Sequence, residues 1–173
     1  HQEHLCRAYT REHGNAVALL RYHNVYGPRM PRNTPYAGLA SIVRSALDAG
    51  RAPQVFEDGA QRRDFIHVED VVSANVAALD ADLATSEAFN IASGTPHSVL
   101  EMAQALHAAY GPGVPPPEVT GGYRLGDVRH VFASPARAER MLGFRARVAF
   151  PDGMREFASA PLREPLGERV LSR

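Results

Sequence analysis

The sequence predicts an α/β fold. Three observations carry this reading. Short stretches of strand length stand at residues 16–20, 54–56, 64–68 and 89–92, helix-period stretches lie between them, and breaker-rich loops separate the two. Taking the elements in order, residues 2–13 read as a helix with Leu5, Ala8 and Tyr9 on one face and Gly14 as a left-handed stop. The run 16–20 is continuously apolar, the pattern of a strand covered on both faces in a parallel sheet. A polar, breaker-rich loop follows from Tyr26 to Asn33. Thr34 and Pro35 read as a cap and first-turn proline for a helix over about 36–49, ended by Gly50. Gln54, Val55 and Phe56 make a short strand, 57–59 a turn, and 64–68 a second extended stretch. Val71, Val72, Val76 and Leu79 then mark a helix over roughly 69–80, and 89–92 is another strand. Ser98 and Glu101 have the spacing of a capping box for a helix ending near Gly111. Prolines 115–117 form an extended linker, Ser134 and Pro135 open a short helix closed by Gly143, and the chain beyond about 160 reads as frayed.

Composition narrows the chemistry. All 19 basic residues counted as Lys or Arg are Arg, so no Schiff-base lysine, phosphate-loop lysine or Tyr-Lys proton relay exists within these residues. Arginine is a permanent cation, suited to holding phosphate or carboxylate and poor as a general base. The 19 acidic residues bring the net charge to zero, which points to neither a nucleic-acid nor a membrane partner. The single cysteine, Cys6, cannot form an internal disulfide, as expected of a cytoplasmic protein. His1, His4 and Cys6 share a helix end but lack a fourth ligand, so no metal is expected. The start at His1 carries neither an initiator Met nor a signal pattern and reads as the middle of a longer chain.

Ligands in open α/β sheets gather at the carboxyl ends of strands, and three loops qualify: 22–33, 57–64 and 121–129. The first offers Asn24, an amide able to donate to a phosphate oxygen, and Asn33. The second offers Arg62, Arg63 and Asp64 at a strand entrance, where one Arg faces inward if its neighbour faces out. An inward Arg needs an anion, either Asp64 or a ligand diphosphate. The third offers Arg124 for a phosphate and Asp127 for a ribose diol, separated by Gly126. Local alternatives stand beside each reading. The Arg-Arg-Asp cluster also suits an ion-pair network, Asn24 a turn, Phe56 a core position, and His67 a satisfied, half-buried histidine.

Together the loops resemble the extended short-chain dehydrogenase/reductase family. Leu20-Arg21-Tyr22-His23-Asn24-Val25-Tyr26-Gly27-Pro28-Arg29 resembles its LRYFNVYGPR signature, and residues 56–72 resemble YGDGxQxRDFIHVxDVV. Phe89-Asn90-Ile91-Ala92-Ser93-Gly94 is similar to FNIGSG, and residues 124–130 are similar to RxGDVRH. Within the family, the NAD-dependent epimerases and dehydratases of the UDP-glucose 4-epimerase type are the most similar. The resemblance implies the C-terminal part of a Rossmann-type sheet with a smaller α/β substrate-binding domain. Residues 1–30 would be the last Rossmann helix-strand unit, 31–160 the nucleotide-sugar region with a return strand and helix, and 161–173 the frayed tail. It further implies that Asn24, Arg63 and Arg124 touch a substrate diphosphate, with Asn33 also in the substrate site. Asp127 would hold the ribose, Phe56 would sit by the pyrimidine, and the backbone of Tyr22 and His23 would lie against NAD. A UDP-sugar is the implied substrate and a homodimer the implied assembly. The family's Gly-rich loop and Tyr-x-x-x-Lys precede the matched region, and by register the lysine falls two residues before His1. No catalytic residue is therefore expected within this chain, and the chain by itself is expected to be inactive. Position 23 is His where the signature has Phe. A 4,6-dehydratase or reductase of the same family, and a non-catalytic nucleotide-binding module, remain alternatives.

Overall fold

A computed structural model describes residues 1–32 and 38–163. The elements in order are α1 (Gln2–His13), β1 (Ala18–Tyr22), β2 (Asn24–Tyr26), α2 (Leu39–Asp48), β3 (Gln54–Val55), β4 (Arg62–His67) and α3 (Val68–Asp80). They continue with β5 (Glu87–Ile91), β6 (Pro96–Ser98), α4 (Val99–Tyr110), β7 (Glu118–Val119), β8 (His130–Val131), α5 (Ala136–Leu142) and α6 (Phe150–Ser159). The class is α/β with mostly parallel pairing. β1 runs parallel to β5, β2 and β8 run parallel to β4, and β3 runs parallel to β7, while β6 is antiparallel to β4.

Strand β4 divides the interior. Successive residues of a strand point to opposite faces, so Phe65 and Ile66 enter different cores. Phe65 joins Tyr26, Val43, Leu47, Val55, Met102, Leu106, Met154 and Phe157, a core closed by α2, α4 and α6. Ile66 joins Val71, Ala74, Phe89, Ile91, Ala138 and Phe144 under α3 and α5. Two buried carboxylates fasten remote backbone to this frame. Asp64 accepts from the N–H groups of Ser93 and Gly94 at 2.7 and 2.9 Å. Asp70 accepts from Arg147 and Val148 N–H at 2.9 and 3.2 Å. Each thereby satisfies two amides that end no helix or ladder.

Local signals account for several boundaries. Gly14 stops α1 at φ 75° with its N–H on Thr10 O, and the Ser98–Glu101 capping box at α4 is complete. Other expectations need correction. The face of α1 that packs is polar: Glu3 pairs with Arg21 and Thr10 bonds Ser86, while Leu5 and Tyr9 are exposed. β1 lies two residues later than the apolar run, and only Leu19 within it is buried, so double-sided cover is not found among the described residues. α2 begins at Leu39, after an extended Gly38, and the expected Thr34–Pro35 cap lies outside the described residues. His67 is fully buried rather than half-buried. It caps α3, its Nδ1 accepting from Glu69 N–H at 3.4 Å, and its Nε2 has no hydrogen-bond partner among the described residues.

Residues 161–163, placed in the frayed tail, are packed. Arg29 N–H donates to Pro161 O, Arg163 N–H donates to Met30 O, and Leu162 is buried; residues 164–173 lie outside the described residues. Helix α6 has no counterpart in the expectations because Pro151 and Gly153 interrupt its pattern. Pro151 occupies the first turn, where its missing N–H costs nothing. Gly153 lies against Tyr26, and a Cβ there would collide with the phenol oxygen. Gly153→Ala is therefore expected to destabilise the fold by about 1–3 kcal/mol through overpacking. Urea denaturation of the two proteins checks this as a lower midpoint at unchanged slope.

Candidate functional site

The cleft lies at the amino ends of β2 and β4 and the carboxyl end of β3, and is built from positions spread over much of the chain. Asn24 pairs in register with Phe65, so it faces the same side of the sheet as Arg63. The chain then crosses α2, whose Leu39 and Ile42 form an apolar wall, and returns through β3 to present Phe56, which is 40% exposed. Arg124 and Asp127 arrive last, on the segment 121–129, which runs across the cleft as a strap. A reverse turn sets their spacing: Asp127 N–H donates to Arg124 O at 3.1 Å, and Gly126 takes φ 83°. The cleft encloses about 260 Å³ and is lined by Asn24, Phe56, Arg63, Arg124 and Asp127, together with Gln54, Gln61 and Val99. A roomier hollow of about 570 Å³ lies between β1 and α3, but its one ionisable lining residue is Asp82, so it offers no cation to an anionic ligand.

Arg63 organises the cleft. It faces in and is buried, while Arg62 faces out, as alternation along the strand requires. Its partner is not Asp64, which points to the other face. Arg63 Nη2 donates to Val128 O at 2.6 Å and to Asp127 Oδ1 at 3.3 Å, and Nη1 donates to Arg129 O at 2.7 Å and Arg62 O at 3.0 Å. A buried cation is thus satisfied mainly by backbone carbonyls of the strap. With Arg124 beside it and Asp127 as the one lining carboxylate, the cleft carries a net positive charge. Gln61 Nε2 donates to Phe56 O at 2.9 Å, whereas its Oε1 is buried without a hydrogen-bond partner among the described residues.

At the strap's far end, Arg129 spans two carboxylates, 2.7 Å from Glu57 and 2.7 Å from Asp58. Sequence reasoning did not single out Arg129, Glu57 or Gln61. The RxGDVRH resemblance contained Arg129, but its partners lie more than seventy residues away. Asn33 lies outside the described residues. Tyr22 and His23 precede Asn24 where the chain passes from β1 to β2 and do not line the cleft. Tyr22 Oη donates to Asn75 Oδ1 at 2.8 Å, His23 N–H donates to Ile91 O at 3.2 Å, and His23 Nδ1 is buried without a partner among the described residues. Among the described residues no three His, Cys, Asp or Glu side chains group as a metal site, and no helix is long and apolar enough to cross a membrane.

Residues 1–92 match the NAD dependent epimerase/dehydratase family. This chain belongs to that family. The chain is 33% identical to a dTDP-L-rhamnose 4-epimerase of Burkholderia thailandensis over 155 residues, covering 90% of this chain and 42% of that protein. Among solved structures it is similar to the UDP-glucose 4-epimerase of Thermotoga maritima with UDP-glucose, at TM-score 0.80 and 32% identity, over 90% of this chain and 49% of that one. The UDP-glucose 4-epimerase of Thermus thermophilus in complex with NAD gives TM-score 0.78 at 30% identity, over 90% and 50%. The chain thus spans about half the length or less of the epimerases it matches, and it shares their Rossmann-type α/β fold.

The Arg129 guanidinium holds the Asp58 carboxyl down to about 2, helped by the Ala60 N–H. Because the folded value is depressed, the pair's contribution is present above the ordinary carboxylate range and is lost only as pH falls toward about 2. Carboxyl-carbon NMR should find Asp58 titrating there, and in Arg129→Ala it should move back up toward the ordinary range.

Proposed function

We propose that this chain is the nucleotide-diphosphate-binding part of an NAD-dependent nucleotide-sugar 4-epimerase. The supporting observation is the meeting of Arg63, Arg124, Asn24, Asp127 and Phe56 on one small cleft of net positive charge. Two guanidiniums and an amide suit the oxygens of a diphosphate, which a planar fork can grip bidentately. Asp127 can accept from a ribose hydroxyl, and Phe56 offers a flat face for a base. Relatives named as acting at C4 of different nucleotide-linked sugars fit a reading in which the nucleotide end is the common element. A UDP-sugar is the substrate proposed here.

In this reading NAD lies against the backbone of Tyr22 and His23, where the chain passes from β1 to β2. The chemistry expected of NAD in this family is to accept a hydride from the sugar and allow its return to the opposite face. These residues supply no lysine for a Tyr-Lys relay. Their work is therefore to bind and orient: the arginines neutralise the diphosphate while the strap fixes the ribose.

The chain should bind UDP in a calorimetric titration, and raising the salt should weaken binding because the contacts are charge-assisted. Arg124→Ala should weaken it by about ten- to 150-fold, the equivalent of the ~1.5–3 kcal/mol lost with a charged hydrogen bond. Arg63→Ala should cost at least as much, since it also releases the strap carbonyls. Unchanged UDP affinity in both variants would remove the diphosphate assignment. The chain with added NAD should not interconvert UDP-glucose and UDP-galactose, and detectable turnover would show that catalytic groups lie within it after all.

A further inference from the structure

The strap has no hydrophobic anchor. Every residue from 121 to 130 is exposed, with Tyr123 at 77%, Leu125 at 93% and Val128 at 59%. Between the strand pairs β3–β7 and β4–β8 that flank it, its position over the cleft depends on polar ties. Glu57 N–H donates to Gly122 O at 2.7 Å at one end, and at the other Arg63 holds the carbonyls of Val128 and Arg129 while the Arg129 side chain closes on Glu57 and Asp58. Two of these three ties involve Glu57, whose backbone adopts φ 52°. That is left-handed space, costly for a side chain with a Cβ and free for glycine. The segment it belongs to resembles YGDG, and Glu57 stands at the first glycine of that pattern.

We infer that Glu57 is a positioning residue: with Asp58 and Arg129 it forms a clasp that holds Arg124 and Asp127 over the cleft before any ligand arrives. Glu57 does not line the cleft and touches no proposed ligand atom. Its left-handed backbone aims the N–H at Gly122, and its carboxylate meets Nη1 of the guanidinium whose Nη2 holds Asp58. Strain at position 57 is thus retained in exchange for a strap ordered in advance, which lowers the ordering cost of binding. The proposal rests on the diphosphate reading only for the ligand, since the clasp itself is a property of the free chain.

Glu57→Gly separates the two effects. Glycine relieves the left-handed strain, so the thermal midpoint should stay level or rise. Amide hydrogen exchange across 121–130 should nevertheless speed up in the free protein, and UDP should bind about three- to tenfold more weakly, the range one or two exposed ion pairs supply. Arg129→Ala should loosen the same amides, and Arg129→Lys, which keeps the charge but not the fork, should restore protection only in part. Strap exchange unchanged in both Glu57→Gly and Arg129→Ala would overturn the clasp, as would UDP affinity falling only in step with global stability. If the unaltered chain fails to bind UDP, the diphosphate reading falls, while the exchange measurement still decides the clasp.

Discussion

Burying a guanidinium without acceptors is costly, and Arg63 is buried in β4. Its neighbours in sequence provide one, the carbonyl of Arg62. Alternation along β4 sends Asp64 to the far side, where it is consumed by the 93–94 amides. The other acceptors come from a segment some sixty-five residues later, whose carbonyls and one carboxylate surround the charge. That requirement brings the strap across the sheet, and with it Arg124 and Asp127. The cleft is thus a consequence of satisfying one buried cation rather than a hollow between independently folded parts.

Much of this was legible in the sequence where the signal is local. The left-handed Gly14, the Ser98–Glu101 box and the valines of α3 each act within a few residues, and the helices they predict are present. β6, β7 and β8, of two or three residues each, exist only because a distant edge pairs with them, and no short window reveals that. The packed face of α1 was misjudged for a related reason. Its apolar residues are real, but contact is made through Glu3 and Thr10, whose partners Arg21 and Ser86 belong to later elements. α6 was hidden by a proline and a glycine that are faults in an isolated helix and assets in this one.

The cleft divides in the same way. Arg63, Arg124, Asn24 and Asp127 were visible as charged or amide groups in loops following strands, and the resemblance gathered them. Arg129 and Glu57 were not, since neither faces the cleft and their role lies in geometry across the fold. An all-arginine complement has a physical corollary. The positive charge facing the cleft is carried by guanidiniums alone, planar groups that can grip an anion with two parallel hydrogen bonds and whose attraction for it weakens with ionic strength.

Asp64 and Asp70 also bear on how the chain reaches this structure. Asp64 collects amides 29 and 30 residues away, and Asp70 collects amides 77 and 78 away. Neither carboxylate can be satisfied until a long loop has closed, so early compact states would hold two desolvated acids without partners. Folding should therefore be slow for a chain this size, with the closing of the 147–148 segment a late event. Once closed, the same bonds tie β4 to residues 93–94 and α3 to residues 147–148, and opening either segment leaves a buried acid without its partners.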